Sequence, residues 1–121
     1  MVISFAKEYL RELYECGWTS DKKYRFQPHI VSRYQLRIKT LERAVGIEEL
    51  FPLKSLHYEV LKGDKVGISS IRVNDQYRIE FTVEQFMGET LVTICNILEL
   101  SNHYNRFDYG KLCLSEGDTS R

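Results

Sequence analysis

Hydrophobic positions along the chain change period partway through, and the change divides helices from strands. Val2 to Phe5 is a short apolar piece that reads as an edge strand. Ala6 to Cys16 places Tyr9, Leu10, Leu13 and Tyr14 on one stripe of a helix, with Gly17 as its stop. Trp18 to Gln27 is polar and reads as loop, although Thr19-Ser20-Asp21 equally suits the cap of a short helical turn. Pro28 fits the first turn of a second helix, where its missing N–H is not needed. Ile30, Tyr34, Ile38, Leu41 and Val45 then recur at spacings of 4, 4, 3 and 4, an amphipathic helix ending near Gly46.

After Pro52 the period falls to two. Ile47 to Phe51 is a short turn, and Leu56, Tyr58 and Val60 alternate as a strand. That strand leads into a hairpin around which the chain is organised. Leu61 to Asp64 closes its first strand with a Lys-Gly-Asp turn, and Ile68 to Val73 forms the second, rich in β-branched residues. Asn74-Asp75-Gln76 is a turn, since Asn and Asp bond their own backbone. Tyr77, Ile79, Phe81 and Val83 then alternate with Arg78, Glu80 and Thr82 as a half-buried strand. Gly88 marks another turn, and Leu91 to Leu98 is apolar enough to predict a strand buried on both faces. Leu112 and Leu114 add a last packed segment. The order β-α-α-β-β-β-β predicts an α+β fold: two N-terminal helices packed on one face of a mostly antiparallel sheet of four to five strands. The expected organisation is one domain over residues 1–114 and a polar tail over 115–121.

Composition narrows the function classes. At 121 residues, 43% hydrophobic and 28% charged, the chain is an ordinary globular one. It has no apolar run near the roughly 18 residues of a membrane span. The N-terminus lacks a basic n-region and a long apolar core, which predicts a cytoplasmic protein with no membrane partner. Cys16, Cys95 and Cys113 are odd in number and lack CxxC spacing, so no disulfide framework is expected; Cys95 reads as a core residue. His29, His57 and His103 lack metal-ligand spacing, and neither a metal nor a cofactor is expected. The formal net charge of zero argues against a general nucleic-acid binder. Its distribution is uneven, however. Between Asp21 and Val45, seven Lys and Arg stand against two acidic residues, a local +5.

Lys62, Lys65, Arg72 and Arg78 concentrate cations within the hairpin. On the residues alone, an anion site and an ordinary charged sheet face explain them equally well, and Arg78 has Glu80 or Asp75 available as a partner. Arg33 and Arg37 lie off the apolar stripe of the second helix, either as a solvated face or as a rim that meets RNA or an acidic partner.

The runs Leu61-Lys62-Gly63-Asp64, Gly67, Ser70-Ile71-Arg72-Val73-Asn74 and Tyr77-Arg78-Ile79 with Phe81, followed by an apolar strand and His103-Tyr104, resemble the RelE/ParE superfamily of bacterial toxins, and within it the HigB-like branch. The resemblance spans roughly Val2 to Arg106. It implies a toxin of a type II toxin–antitoxin system that cuts translated mRNA on the ribosome without a metal. It also implies a HigA-like helix-turn-helix antitoxin as partner, with operator DNA met only through that antitoxin. By position, Lys62, Arg72 and Arg78 match the family's phosphate-binding cations; Lys65 in the hairpin and Arg33 and Arg37 on the second helix are further candidate RNA contacts by their charge alone. His103 and Tyr104 match its C-terminal catalytic pair in inverted order. Glu59 stands where a His often occurs, and His57 lies two residues earlier, so the general base is open among His103, His57 and Glu59. Two other classes remain: a ParE-like inhibitor of DNA gyrase that cuts nothing, and a toxin fold retained as an interaction domain.

Overall fold

In the computed structural model, which describes residues 1–102, the chain forms a mixed five-stranded sheet with two helices on one face. The elements are β1 (Val2–Phe5), α1 (Glu8–Cys16), α2 (Pro28–Arg43), β2 (Glu59–Val60), β3 (Ser69–Arg72), β4 (Tyr77–Met87) and β5 (Leu91–Asn102). The sheet order is β1-β5-β4-β3-β2. Only the β1–β5 pair is parallel, and β2 to β5 run as an antiparallel meander. The predicted order and the α+β fold class are both present.

The helices form where period and end signals agree. α1 buries Tyr9, Leu10 and Leu13, and Gly17 closes it at φ 74°, a left-handed conformation in which a Cβ is strained. The Gly17 N–H donates to the Leu13 carbonyl at 3.1 Å. α2 begins on Pro28 and buries Ile30, Val31, Tyr34, Ile38 and Leu41. It is pinned to α1 by polar contacts as well as packing. The Tyr34 hydroxyl donates to the Leu10 carbonyl at 2.7 Å, and the Gln35 amide reaches the carbonyls of Leu13 and Tyr14 at 3.1 and 3.2 Å. Of these, the Tyr14 carbonyl lies in the last turn of α1, where carbonyls lack helical partners.

Alternation assigns the two sheet faces. Ile71, Val73, Ile79, Phe81, Cys95, Ile97 and Leu100 point toward the helices and join their apolar stripes in one core. Burial of each large side chain there contributes about 1.5–3 kcal/mol. Ser70, Arg72, Arg78, Glu80, Glu99 and Ser101 take the other face, as the pairings Ser70↔Glu80↔Glu99 and Arg72↔Arg78↔Ser101 require. A bulge between Glu80 and Phe81 makes Leu98 an extra residue on β5, which restores parity beyond it and adds twist.

The structure corrects several local expectations. Val45 lies beyond α2 and is exposed. The strand expected from Leu56 to Asp64 shrinks to Glu59–Val60, flanked by 3-10 turns at Lys54–Leu56 and Gly63–Lys65. Asp21 caps another such turn at Lys22–Tyr24 through a 3.1 Å bond from the Lys23 N–H. β5 is not buried on both faces: Leu91 and Val92 are exposed, because β4 and β5 run on past their neighbours. Leu112 and Leu114 lie outside the described residues.

Candidate nucleic-acid interface

The polar face at the β3–β4 turn gathers most of the residues singled out in the sequence. Arg72 and Arg78 are direct partners across the antiparallel pair and so project to the same side. Glu59 pairs with Ser70 and shares that side. The Arg78 Nε donates to Ser70 Oγ at 2.8 Å, and its Nη2 donates to the carbonyls of Ser70 and His57. The sequence predicts a half-buried strand with a solvated polar side. Instead Arg78 is only 5% exposed and Glu80 3%. Arg78 is therefore a preorganised buried charge, while half-buried Arg72 and exposed Lys62 are the accessible cations.

The acids on this face carry their own lysines. Glu80 and Glu99 lie directly opposite each other, an unfavourable pairing of like charges. Lys65 offsets one by contacting both Glu80 carboxylate oxygens at 3.0 Å, and Lys7 offsets the other at 3.0 Å from Glu99. That bond raises the Lys7 ammonium above its ordinary value. Lys65 is thus tied to a carboxylate, with its side chain still partly exposed. Lys62 and Lys65 sit on the 3-10 connection, not on a sheet strand as expected. Asp75 pairs with Arg72, not Arg78.

His57 also differs from its expected place. It ends a 3-10 turn in the left-handed region at φ 45°, so strand parity does not aim it alongside Glu59. Its carbonyl is held by Arg78, and its ring lines a groove with Phe51, Leu53, Lys54 and Tyr58. Holding a non-glycine residue there costs of order 1–3 kcal/mol, which the buried Arg78 bond helps to offset.

From the helix layer, the Arg37 Nε donates to the Arg72 carbonyl at 3.0 Å, with Arg33 one turn earlier on α2. Burial first, then the charges of Arg33 and Arg72, lower the Arg37 guanidinium from its ordinary value; it stays protonated nonetheless. The cationic zone therefore wraps the end of the sheet. It continues into a cleft of about 580 Å³ between the start of α2 and the β3–β4 turn, where Lys23, Arg25 and His29 face Asn74 and Gln76. Phe26 meets Tyr77 edge-on there at 5.2 Å. Sequence reading did not join these two segments. Lys23 and Arg25 contribute to the +5 stretch, but no period or spacing signals that they meet a turn about fifty residues later.

His103 and Tyr104 lie outside the described residues. Asn102, which precedes them, is the β5 partner of Tyr77, the neighbour of Arg78.

A small α+β fold with arginines gathered at one end of its sheet is the frame of a RelE-like toxin. The sequence profile of the HigB-like toxin family, described as the RelE-like toxin of type II toxin–antitoxin system HigB, matches residues 3–98, and the chain belongs to that family. Among solved structures it is similar in fold to a YoeB/ParE toxin from Agrobacterium tumefaciens, at a TM-score of 0.52 and 18% identity, covering 86% of this chain and 100% of that one. No curated protein matches the chain. Membership makes the protein a type II toxin with an antitoxin as partner. Among the described residues, no helix is long and apolar enough to cross a membrane.

Proposed function

We propose that this toxin is a ribosome-dependent, metal-independent mRNA endonuclease, with its phosphate site at the Arg72–Arg78 end of the sheet. The observation that carries the reading is the shared face of Arg72 and Arg78, backed by Arg37 and Arg33 at the rim. Within the trio Arg33, Arg37 and Arg72, the acid paired among the described residues is Asp75, itself exposed. Cations crowded against one another in this way are stabilised by a polyanion. Arg72 supplies a planar fork for two phosphate oxygens and Lys62 a compact charge. Buried Arg78 adds fixed positive potential where the phosphorane develops charge. Lys65, through Glu80, holds the turn that carries Lys62.

In the reaction, the ribose 2′-oxygen attacks phosphorus and loses its proton to a general base. The P–O5′ bond breaks, and the leaving 5′-oxygen takes a proton from a general acid. The products are a 2′,3′-cyclic phosphate and a 5′-hydroxyl. Glu59 is the candidate base, and the face it shares with Ser70 supports that reading. His103 and Tyr104 follow directly on Asn102 in the sequence and are the candidate acids.

The test is mRNA integrity in a translating extract. Purified toxin cuts message during translation, and Arg72→Ala lowers the cleavage rate by about 100-fold. Intact mRNA together with blocked gyrase supercoiling supports the ParE-like class. Intact mRNA with unimpaired growth after expression without antitoxin supports a toxin fold that has lost activity.

A further inference from the structure

The far end of β4 and β5 is a ribbon that the RNA reading leaves unexplained. β3 pairs with β4 only as far as Phe81, and β1 pairs with β5 only from Ile94 onward. The β4–β5 ladder nevertheless continues to Met87↔Leu91. The edge of Val83 to Met87 that faces away from β5 therefore carries backbone N–H and C=O groups with no strand beside them among the described residues. Such an edge is a template for strand addition, and proteins usually blunt it with Lys, Pro or a bulge. Here none of those devices interrupts Val83 to Met87. Its tip is apolar and exposed instead, with Phe86 52%, Met87 74% and, across the ladder, Leu91 52%, next to exposed Glu84 and Gln85.

The charge on the ribbon decides which partner fits. Residues 79–102 contain four Glu and no Lys or Arg. Glu80 and Glu99 are matched by Lys65 and Lys7, whereas Glu84 and Glu89 at the ribbon have no ion-pair partner among the described residues. A negative, apolar surface repels RNA phosphate, so nucleic acid is excluded as its occupant. A second copy of this ribbon would bring Glu84 and Glu89 against their own kind. The geometry points to an extended segment of the antitoxin, apolar residues alternating with Lys or Arg, that adds as a strand along Val83–Met87. Strand addition supplies main-chain hydrogen bonds for affinity and side-chain pockets for specificity. This proposal rests on family membership, which brings an antitoxin, and not on the cationic end cutting RNA.

The experiment co-expresses the full chain with the antitoxin encoded beside it and compares amide exchange in the complex with that of the free toxin. Residues 83–87 slow by at least tenfold in the complex. Met87→Lys with Leu91→Lys, both at exposed tip positions that leave the core untouched, weakens the complex by at least tenfold, and the variant still arrests growth when expressed alone. Unchanged exchange at 83–87 on complex formation overturns the proposal, as does wild-type affinity of the double variant. Protection in the free toxin of the amides of this segment that face away from β5 also overturns it, whether concentration-dependent through a second copy or concentration-independent through this chain's own C-terminal residues. Loss of mRNA cleavage with ribbon protection intact would count against the nuclease alone.

Discussion

The two ends of β4 belong to one strand and meet different chemistry. At Arg78 the polar side chain is buried, bonded to Ser70 and the His57 carbonyl, and opposed by a second arginine. At Phe86, about 27 Å further along, the strand is apolar, exposed and accompanied by glutamates that have no ion-pair partner among the described residues. The neighbouring elements make the difference. β3 and the Gly63–Lys65 connection frame the first end, and neither runs alongside the second. On the proposed readings, a strand that outruns its neighbours separates two binding problems: phosphate where cations converge, and protein where an edge has no strand beside it among the described residues.

The bulge beside Phe81 joins the two ends, and the most damaging substitution lies there. Phe81 is fully buried, and Phe81→Ala costs about 3–5 kcal/mol from lost burial and the cavity left behind. Urea denaturation should register it, with both ends losing function together. Arg78→Ala should break only the first end. It strips the buried Ser70 hydroxyl and His57 carbonyl of their donor, costs about 1–3 kcal/mol, and abolishes cleavage. Met87→Ala at the other end changes stability by no more than about 0.5 kcal/mol. Equal losses from these two variants would erase the contrast.

Alkaline titration probes where the ribbon leaves the core. Cys95 pairs with Val83, and burial pushes its thiol from 9.0 up to about 12. The unfolded chain releases this proton first, so stability is complete below pH 9 and falls as pH rises toward about 12. The slope approaches about 1.4 kcal/mol per pH unit. Burial also raises Tyr9 and Tyr34, which add to the loss above their ordinary value of 10.0. Cys95→Ala should therefore flatten the pH 9–10 segment of a denaturation series and leave the steeper region above it. A modest effect belongs to Lys65 and Glu80. With Lys65 partly exposed, a double-mutant cycle should return a coupling of about 1 kcal/mol, and a value near zero would mean that the turn is held by other contacts.

Much of this fold is legible in the sequence because burial and period coincide. Tyr9, Leu10 and Leu13, then Ile30, Tyr34, Ile38 and Leu41, mark both helices, and Gly17 and Pro28 bound them. The same logic misreads Leu91 and Val92, since apolar letters do not reveal whether a neighbouring strand extends far enough to cover them. At the site, the shared face of Arg72 and Arg78 follows from the position of the Asn74–Gln76 turn between them. The burial of Arg78, the Lys65–Glu80 pair and the left-handed His57 do not follow from spacing, because each depends on the 3-10 segments that replace the expected strand. The cleft joining Lys23 and Arg25 to Asn74 arises only when distant segments pack together.

The most direct test of the nuclease reading is the chemistry of the ends left on mRNA after exposure to the toxin in a translating extract. The 2′-hydroxyl route predicts 2′,3′-cyclic or 3′-phosphate termini facing 5′-hydroxyls, with the cuts forming about 100-fold more slowly for Arg72→Ala. Fragments ending in 3′-hydroxyl and 5′-phosphate, or message left whole by an active growth-arresting toxin, would contradict it.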